Sequence, residues 1–160
     1  KILCYALIQP TIDYCCSSWY AGLSASLKKR LDVIQRKMVR FIEGMDMRAH
    51  VNTRNLFSLS WLSVPDRVTY FRMIHLFKIR NDLAPSYLRS NFIELNGLHS
   101  YKTRGSDANY HISRGLSLSP NSFAYTAIKS WNALPSSLKS VTSLNCFKRK
   151  LKEHLLCGYS

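Results

Sequence analysis

Ser26-Leu27-Lys28-Lys29-Arg30-Leu31-Asp32-Val33-Ile34-Gln35-Arg36-Lys37-Met38-Val39-Arg40-Phe41-Ile42-Glu43 decides how this chain is read. Leu27, Leu31, Ile34, Met38, Phe41 and Ile42 recur at steps of three and four, which lines them along one stripe of a 3.6-residue period. Lys29, Arg36 and Arg40 fall opposite that stripe, with Lys28, Arg30 and Lys37 flanking. Ser24 or Ser26 offers a hydroxyl to cap the first turn, and Gly44 offers the left-handed residue that closes the last. The spacing predicts an amphipathic helix over 26–43, apolar toward a core and cationic on its outer side.

Similar signals run in both directions. Upstream, residues 2–20 read as a helix bent or restarted at Pro10, anchored by Leu3, Leu7, Tyr14 and Trp19 and closed by Gly22. Its apolar start is expected to be the cut end of a longer helix: the run is too short for a bilayer and lacks a clean cleavage site. Downstream, a short helix is expected near 55–62. Ser63 then caps a longer one, with Pro65 in the first turn, where its missing N–H costs nothing, and Asp66 at the positive end of the dipole. Val68, Phe71, Ile74 and Phe77 form its apolar face, and Asn81 is expected to stop it in a left-handed conformation. Pro85 opens a short fifth helix to 93.

Between 94 and 121 periodicity fades while Gly, Ser, Asn and Pro accumulate. This predicts an extended linker with at most two short strands, near 109–113 and 115–118. Asn121 or Ser122 caps a helix that ends before Pro135. Ser143 caps the last one, with Leu144, Phe147, Leu151 and Leu155 on one face. The fold class is mainly α, an irregular bundle of about six to seven helices. Its parts are a helical region over 1–95, the linker over 96–120 and a C-terminal helical pair over 121–160.

A chain of 160 residues is long enough for one domain with its own core. Hydrophobic residues at 46% and aromatics at 12% exclude a disordered polyelectrolyte. Lys and Arg number 23 against 9 Asp and Glu, a formal charge of +14, so polyanions are the favoured partners: nucleic acid first, a membrane surface second. The five cysteines, Cys4, Cys15, Cys16, Cys146 and Cys157, hold no C-x-x-C pair and suit neither a disulfide framework nor a zinc knuckle. They are expected to be small buried hydrophobes. His50, His75, His99, His111 and His154 have no partner at catalytic spacing. Trp19, Trp61, Trp131 and the Phe residues are expected in the core.

Several blocks stand in a fixed order. Leu7-Ile8-Gln9-Pro10 leads to Tyr14 and Trp19 in the spacing P-x-x-x-Y-x-x-x-x-W. Leu31, Gln35, Arg40 and Ile42 follow on the basic helix, then Trp61-Leu62, Arg67, Lys78 and Leu83-Ala84-Pro85-Ser86-Tyr87-Leu88. The linker adds His99-Ser100-Tyr101-Lys102-Thr103-Arg104 and Asn109-Tyr110-His111. Trp131-Asn132-Ala133-Leu134-Pro135 and Ser143-Leu144-Asn145-Cys146-Phe147-Lys148 complete the set. Each block alone is weak. In this order and spacing they resemble the thumb and post-thumb region of reverse transcriptases from LINE-type, non-LTR retrotransposons, above all the group with an N-terminal apurinic-type endonuclease.

The resemblance implies an RNA-directed DNA polymerase whose chemistry lies upstream, in a palm where an aromatic-x-Asp-Asp turn holds two metal ions. Here Asp13, Asp32, Asp46, Asp66, Asp82 and Asp107 are scattered and no two are adjacent. The chain by itself is therefore expected to be non-catalytic, with no metal, cofactor or small-molecule substrate. Residues 1–95 become a thumb-like region. The implied partners are RNA or RNA–DNA duplex and the upstream palm and fingers of the parent polymerase, with no membrane. The implied place is intracellular, nuclear and cytoplasmic, as a ribonucleoprotein.

Three clusters are candidate nucleic-acid contacts. Lys28, Lys29, Arg30, Arg36, Lys37 and Arg40 lie on the basic helix. Tyr101, Lys102 and Arg104 lie in the linker, where tyrosine can stack on an unpaired base and arginine can clamp a phosphate. Lys148, Arg149, Lys150 and Lys152 surround the last helix. Phosphate contacts give affinity without base information, and the basic helix carries little Asn or Gln for base readout. The competing reading is an element remnant without its own function, or a recruited helical interaction module with no nucleic-acid role. On that reading the cations only solvate an outer helical face, and Tyr101 is pinned against the helices.

Overall fold

Ser24 stands in extended conformation just before helix α3 (Ala25–Glu43), and its Oγ accepts from the Leu27 N–H at 3.4 Å. Gly44 ends α3 at φ 62°, its N–H returning to the Arg40 carbonyl. A Cβ at Gly44 would meet nothing within 4 Å, so backbone strain alone, about 1–2 kcal/mol, reserves this position for glycine. The helix and both its caps lie where the sequence puts them.

α3 belongs to a computed structural model that describes residues 1–95, 108–112 and 119–159. Over these residues the chain is mainly α and holds no strand. It divides into two compact units, Lys1–Val68 with Lys152–Ser160, and Thr69–Leu151. The sequence boundaries at 95/96 and 120/121 follow composition, whereas the compact units follow packing.

In the first unit the N-terminal segment is not one helix bent at Pro10. A π-helical turn, Cys4–Ile8, runs into α1 (Gln9–Asp13), and the Gln9 N–H bonds the Cys4 carbonyl five residues back. Pro10 comes next. Proline has no N–H to donate and its ring crowds the carbonyl four residues earlier, so a wider turn relieves both problems. The break falls at Cys15, which takes φ 48° before α2 (Cys16–Trp19). A 3-10 turn, Tyr20–Gly22, leads on toward α3. The expected anchors are also corrected: Cys4, Ile12 and Cys16 are buried, while Leu3 is 64% exposed, Leu7 68% and Tyr14 77%. Two cysteines thus behave as buried hydrophobes, but Cys15 and Cys157 are exposed.

Met38 and Val39 of α3 join Cys4, Val51, Leu56, Leu59 and Trp61 in one core cluster, with Ile42 and Tyr159 packed against it. The buried stripe is rotated from the one that periodicity suggests, leaving Leu27, Ile34 and Phe41 exposed. Gln35 takes an inward place instead. Its amide is fully used there: Nε2 donates to the Leu62 carbonyl at 2.8 Å and Oε1 accepts from the Val64 N–H at 3.1 Å. Helix α4 (Thr53–Ser58) is shorter than expected and is started by a reciprocal Asn52–Asn55 capping box. Ser63 and Asp66 cap α5 (Val64–Arg80) as the sequence predicts, the Asp66 N–H donating to Ser63 Oγ at 3.3 Å. The Tyr159 hydroxyl donates to the Asp66 carboxylate and accepts from the Ser63 N–H at 2.8 Å. Asp13 and Arg67 form an ion pair in the same unit.

α5 is apolar on more than one side: Val64, Val68, Met73, Ile74, Leu76, Phe77 and Ile79 are all buried. Phe71, expected on its apolar face, is only partly buried. In the second unit Phe77 stacks on Phe147 with centroids 4.4 Å apart, and Trp131 lies 5.9 Å from Phe147. Asp82 rather than Asn81 takes the left-handed position, at φ 55°, while the Asn81 amide donates to the Phe77 carbonyl at 2.8 Å. Pro85 opens a 3-10 turn, Ser86–Asn91, in place of an α-helix. Of the two expected strands, the described part of 109–113 contributes one antiparallel bridge, Glu94 to Tyr110, and 115–118 lies outside the described residues. Ser122 caps α6 (Phe123–Asn132), and Pro135 opens a short α7 (Ser136–Lys139) that the sequence reading did not anticipate. The last helix is α8 (Leu144–Cys157), with Phe147 and Leu151 buried.

The W-N-x-L-P block has a structural use within the second unit. Trp131 Nε1 donates to the Ala108 carbonyl at 2.8 Å. Asn132 accepts the Tyr110 N–H at 3.0 Å and returns a donor to the Tyr110 carbonyl at 2.9 Å, as a partner strand would. Lys139 Nζ then reaches Asn109 Oδ1 and the Asn132 carbonyl, and burial, followed by Arg80, pushes its ammonium down from the usual lysine range.

Candidate nucleic-acid interface

Because Gln35, Met38 and Val39 face the core, the opposite side of α3 is directed outward. About 100° of rotation per residue brings Arg36, Lys29 and Arg40 together on one arc of that side, with Lys37 and Arg30 beside them. Lys29, Arg30, Arg36 and Lys37 are exposed and make no ion pair with any described residue. From 29 to 37 they span about 12 Å along the axis at 1.5 Å per residue. The row is therefore accessible and carries no ion pair among the described residues.

The other two cations of this cluster are engaged. Arg40 is partly buried and its Nε donates to the Ala49 carbonyl at 2.8 Å, holding the chain that follows the helix. Lys28 sits with its ammonium 5.3 Å from the centre of the Tyr20 ring. Burial, then Asp32 and Asp66, pushes the Tyr20 hydroxyl up from its ordinary range, so the ring under Lys28 stays neutral.

Next to the row lies a recess of about 290 Å³ whose lining includes Arg36, His50, Asn52 and Thr53 together with Asp32. His50, Asn52 and Thr53 escape a sequence reading because they lie in a non-periodic stretch that only folding brings beside Arg36. Arg48 and Arg54 in the same stretch are exposed and add positive charge to this unit.

The remaining candidates belong to other parts of the chain. Lys148, Arg149 and Lys150 lie on the part of α8 in the second unit, where Arg149 and Lys150 are exposed and Lys148 is partly covered; Lys152 belongs to the first unit. Tyr101, Lys102 and Arg104 lie outside the described residues. Among the described residues no three of His, Cys, Asp and Glu gather where they could hold a metal ion, and no helix is long and apolar enough to cross a membrane. No family model, curated protein or solved structure matches the chain.

Proposed function

We propose that this chain is a non-catalytic segment of a retrotransposon RNA-directed DNA polymerase. It binds the phosphate backbone of template RNA or RNA–DNA duplex without reading sequence, and works beside the palm and fingers of its parent polymerase in an intracellular ribonucleoprotein. The observation that carries this reading is the outward row on α3: four exposed cations with no carboxylate among their described partners. Spacing and chemistry both suit phosphate. Flexible lysine and arginine side chains about 12 Å apart at the ends of the row can reach successive phosphates, and fixed phosphate contacts set register without base information. The motif order that resembles LINE-type reverse transcriptases supplies the nature of the parent enzyme.

Titration of the whole chain against RNA–DNA hybrids of unrelated sequence tests it. Similar affinities that fall steeply with salt are expected, whereas no binding at low salt, or a strong preference for one sequence, contradicts the reading.

A further inference from the structure

One edge of the α3 stripe that periodicity assigns to the core, Leu27, Ile34 and Phe41, is left open, and it borders the cationic row. Arg30, Ile34, Lys37 and Phe41 stand at i, i+4, i+7 and i+11, one line along the helix. Ile34 is 41% exposed and Phe41 71%. Ile34, Lys37 and Phe41 line a recess of about 420 Å³ with Leu3, Leu7, Ile8 and Met38. Lys37 and Phe41 also line a recess of about 430 Å³ together with Arg40, Met45 and Met47.

We propose that this double recess is a docking groove for an acidic amphipathic helix of a partner protein. The lining stretch of α3 from Ile34 to Phe41 is about 10 Å long, two turns of a helix, which suits a ligand anchored by apolar residues at i, i+4 and i+7. Flexible thioethers and an exposed phenyl ring adapt to such anchors. Charge selects the sign of the partner: Lys37 lines both recesses, Arg30 stands one turn before Ile34, and neither makes an ion pair with a described residue, so carboxylates flanking the anchors of the incoming helix would complete them. A second copy of this chain brings cations against cations at a formal charge of +14 each. A nucleic acid backbone offers no apolar ridge to fill the recess beside Leu3 and Leu7.

The test uses the full chain and a fluorescein-labelled peptide of about 18 residues, Leu at i, i+4, i+7 and i+11 on one face with Glu flanking, beside a scramble of equal composition. Saturable anisotropy is expected for the amphipathic peptide, and binding at least about tenfold weaker for the scramble and for Phe41→Ser. Leu7→Ser, on the opposite wall, is expected to weaken binding as well, with circular dichroism confirming the fold of both variants. Duplex affinity is expected to be unchanged by Phe41→Ser, so loss of duplex binding in the wild-type chain counts against the proposed function and leaves the groove standing. Equal binding of the scramble, or unchanged binding in both variants, overturns the proposal. So do Phe41-dependent binding to phosphatidylserine vesicles without peptide binding, and a wild-type dimer in light scattering that Phe41→Ser abolishes.

Discussion

Replacing Lys29, Arg30, Arg36 and Lys37 together by Gln removes four charges while leaving every described hydrogen bond of α3 in place. Each phosphate neutralised on a duplex contributes about 0.9 to the slope of log affinity against log salt. With all four side chains in contact, the variant's slope is shallower by about 3.6. Between about 50 and 200 mM salt the wild-type chain then loses roughly a hundredfold in affinity that the variant has already given up. The fold should not notice, because all four side chains are exposed and surface changes of this kind stay within about 0.5 kcal/mol. Arg40 is kept out of the set, since its Nε holds the Ala49 carbonyl and its removal mixes folding with binding. The assay is fluorescence anisotropy with an RNA–DNA hybrid at several salt concentrations, beside a thermal melt. An unchanged slope in a variant that melts normally refutes the reasoning.

Three further changes test the packing inside each of the two units. Gln35→Leu leaves the Leu62 carbonyl and the Val64 N–H without their partner in a buried place, and a loss of about 1–3 kcal/mol in urea unfolding is expected; an unchanged midpoint contradicts the role given to Gln35. Asn132→Ala strips both bonds from the Tyr110 backbone and should cost a similar amount, roughly 1–3 kcal/mol, with Asn132→Asp recovering part because it still accepts from the Tyr110 N–H. The Tyr159 hydroxyl is pushed up to about 12, by burial first and the Asp66 carboxylate second. Its folded value lies above its unfolded one, so the contribution is complete below pH about 10 and is lost as pH rises toward 12. The urea midpoint should fall across that window in the wild-type chain and fall less in Tyr159→Phe, whereas parallel profiles argue against this linkage.

The legible parts of the fold are those with local causes. Ser24 and Gly44 bound α3, Ser63 and Asp66 start α5, and Ser122 starts α6, because a cap needs only residues within one turn. Rotation of α3 about its axis was not legible. Periodicity cannot separate a stripe containing Ile34 and Phe41 from one containing Gln35 and Val39, and the choice depends on the Leu62 and Val64 backbone groups that Gln35 satisfies. The N-terminal segment shows the same limit. Pro10 is a correct signal of trouble, but the wide turn at Cys4–Ile8 absorbs it and the break moves to Cys15. The single bridge where a strand was expected over 109–112 has a similar origin: Asn132 gives Tyr110 the two backbone bonds that a second strand would supply.

The candidate site divides along the same line. Lys29, Arg30, Arg36 and Lys37 could be read from sequence as outward cations, because four long charged side chains on one helix are expensive to bury. The engagement of Lys28 with Tyr20 and of Arg40 with Ala49 depends on neighbours that come into place only when the unit folds. The same is true of His50, Asn52 and Thr53 beside Arg36.

Chemical-shift mapping of the isotopically labelled chain with an RNA–DNA hybrid at low salt tests most directly whether the α3 row grips phosphates. The account predicts that the largest perturbations fall on Lys29, Arg30, Arg36 and Lys37 and fade together as salt is raised. Perturbations confined to α8, or to the stretch carrying Arg48 and Arg54, with α3 silent, would contradict it.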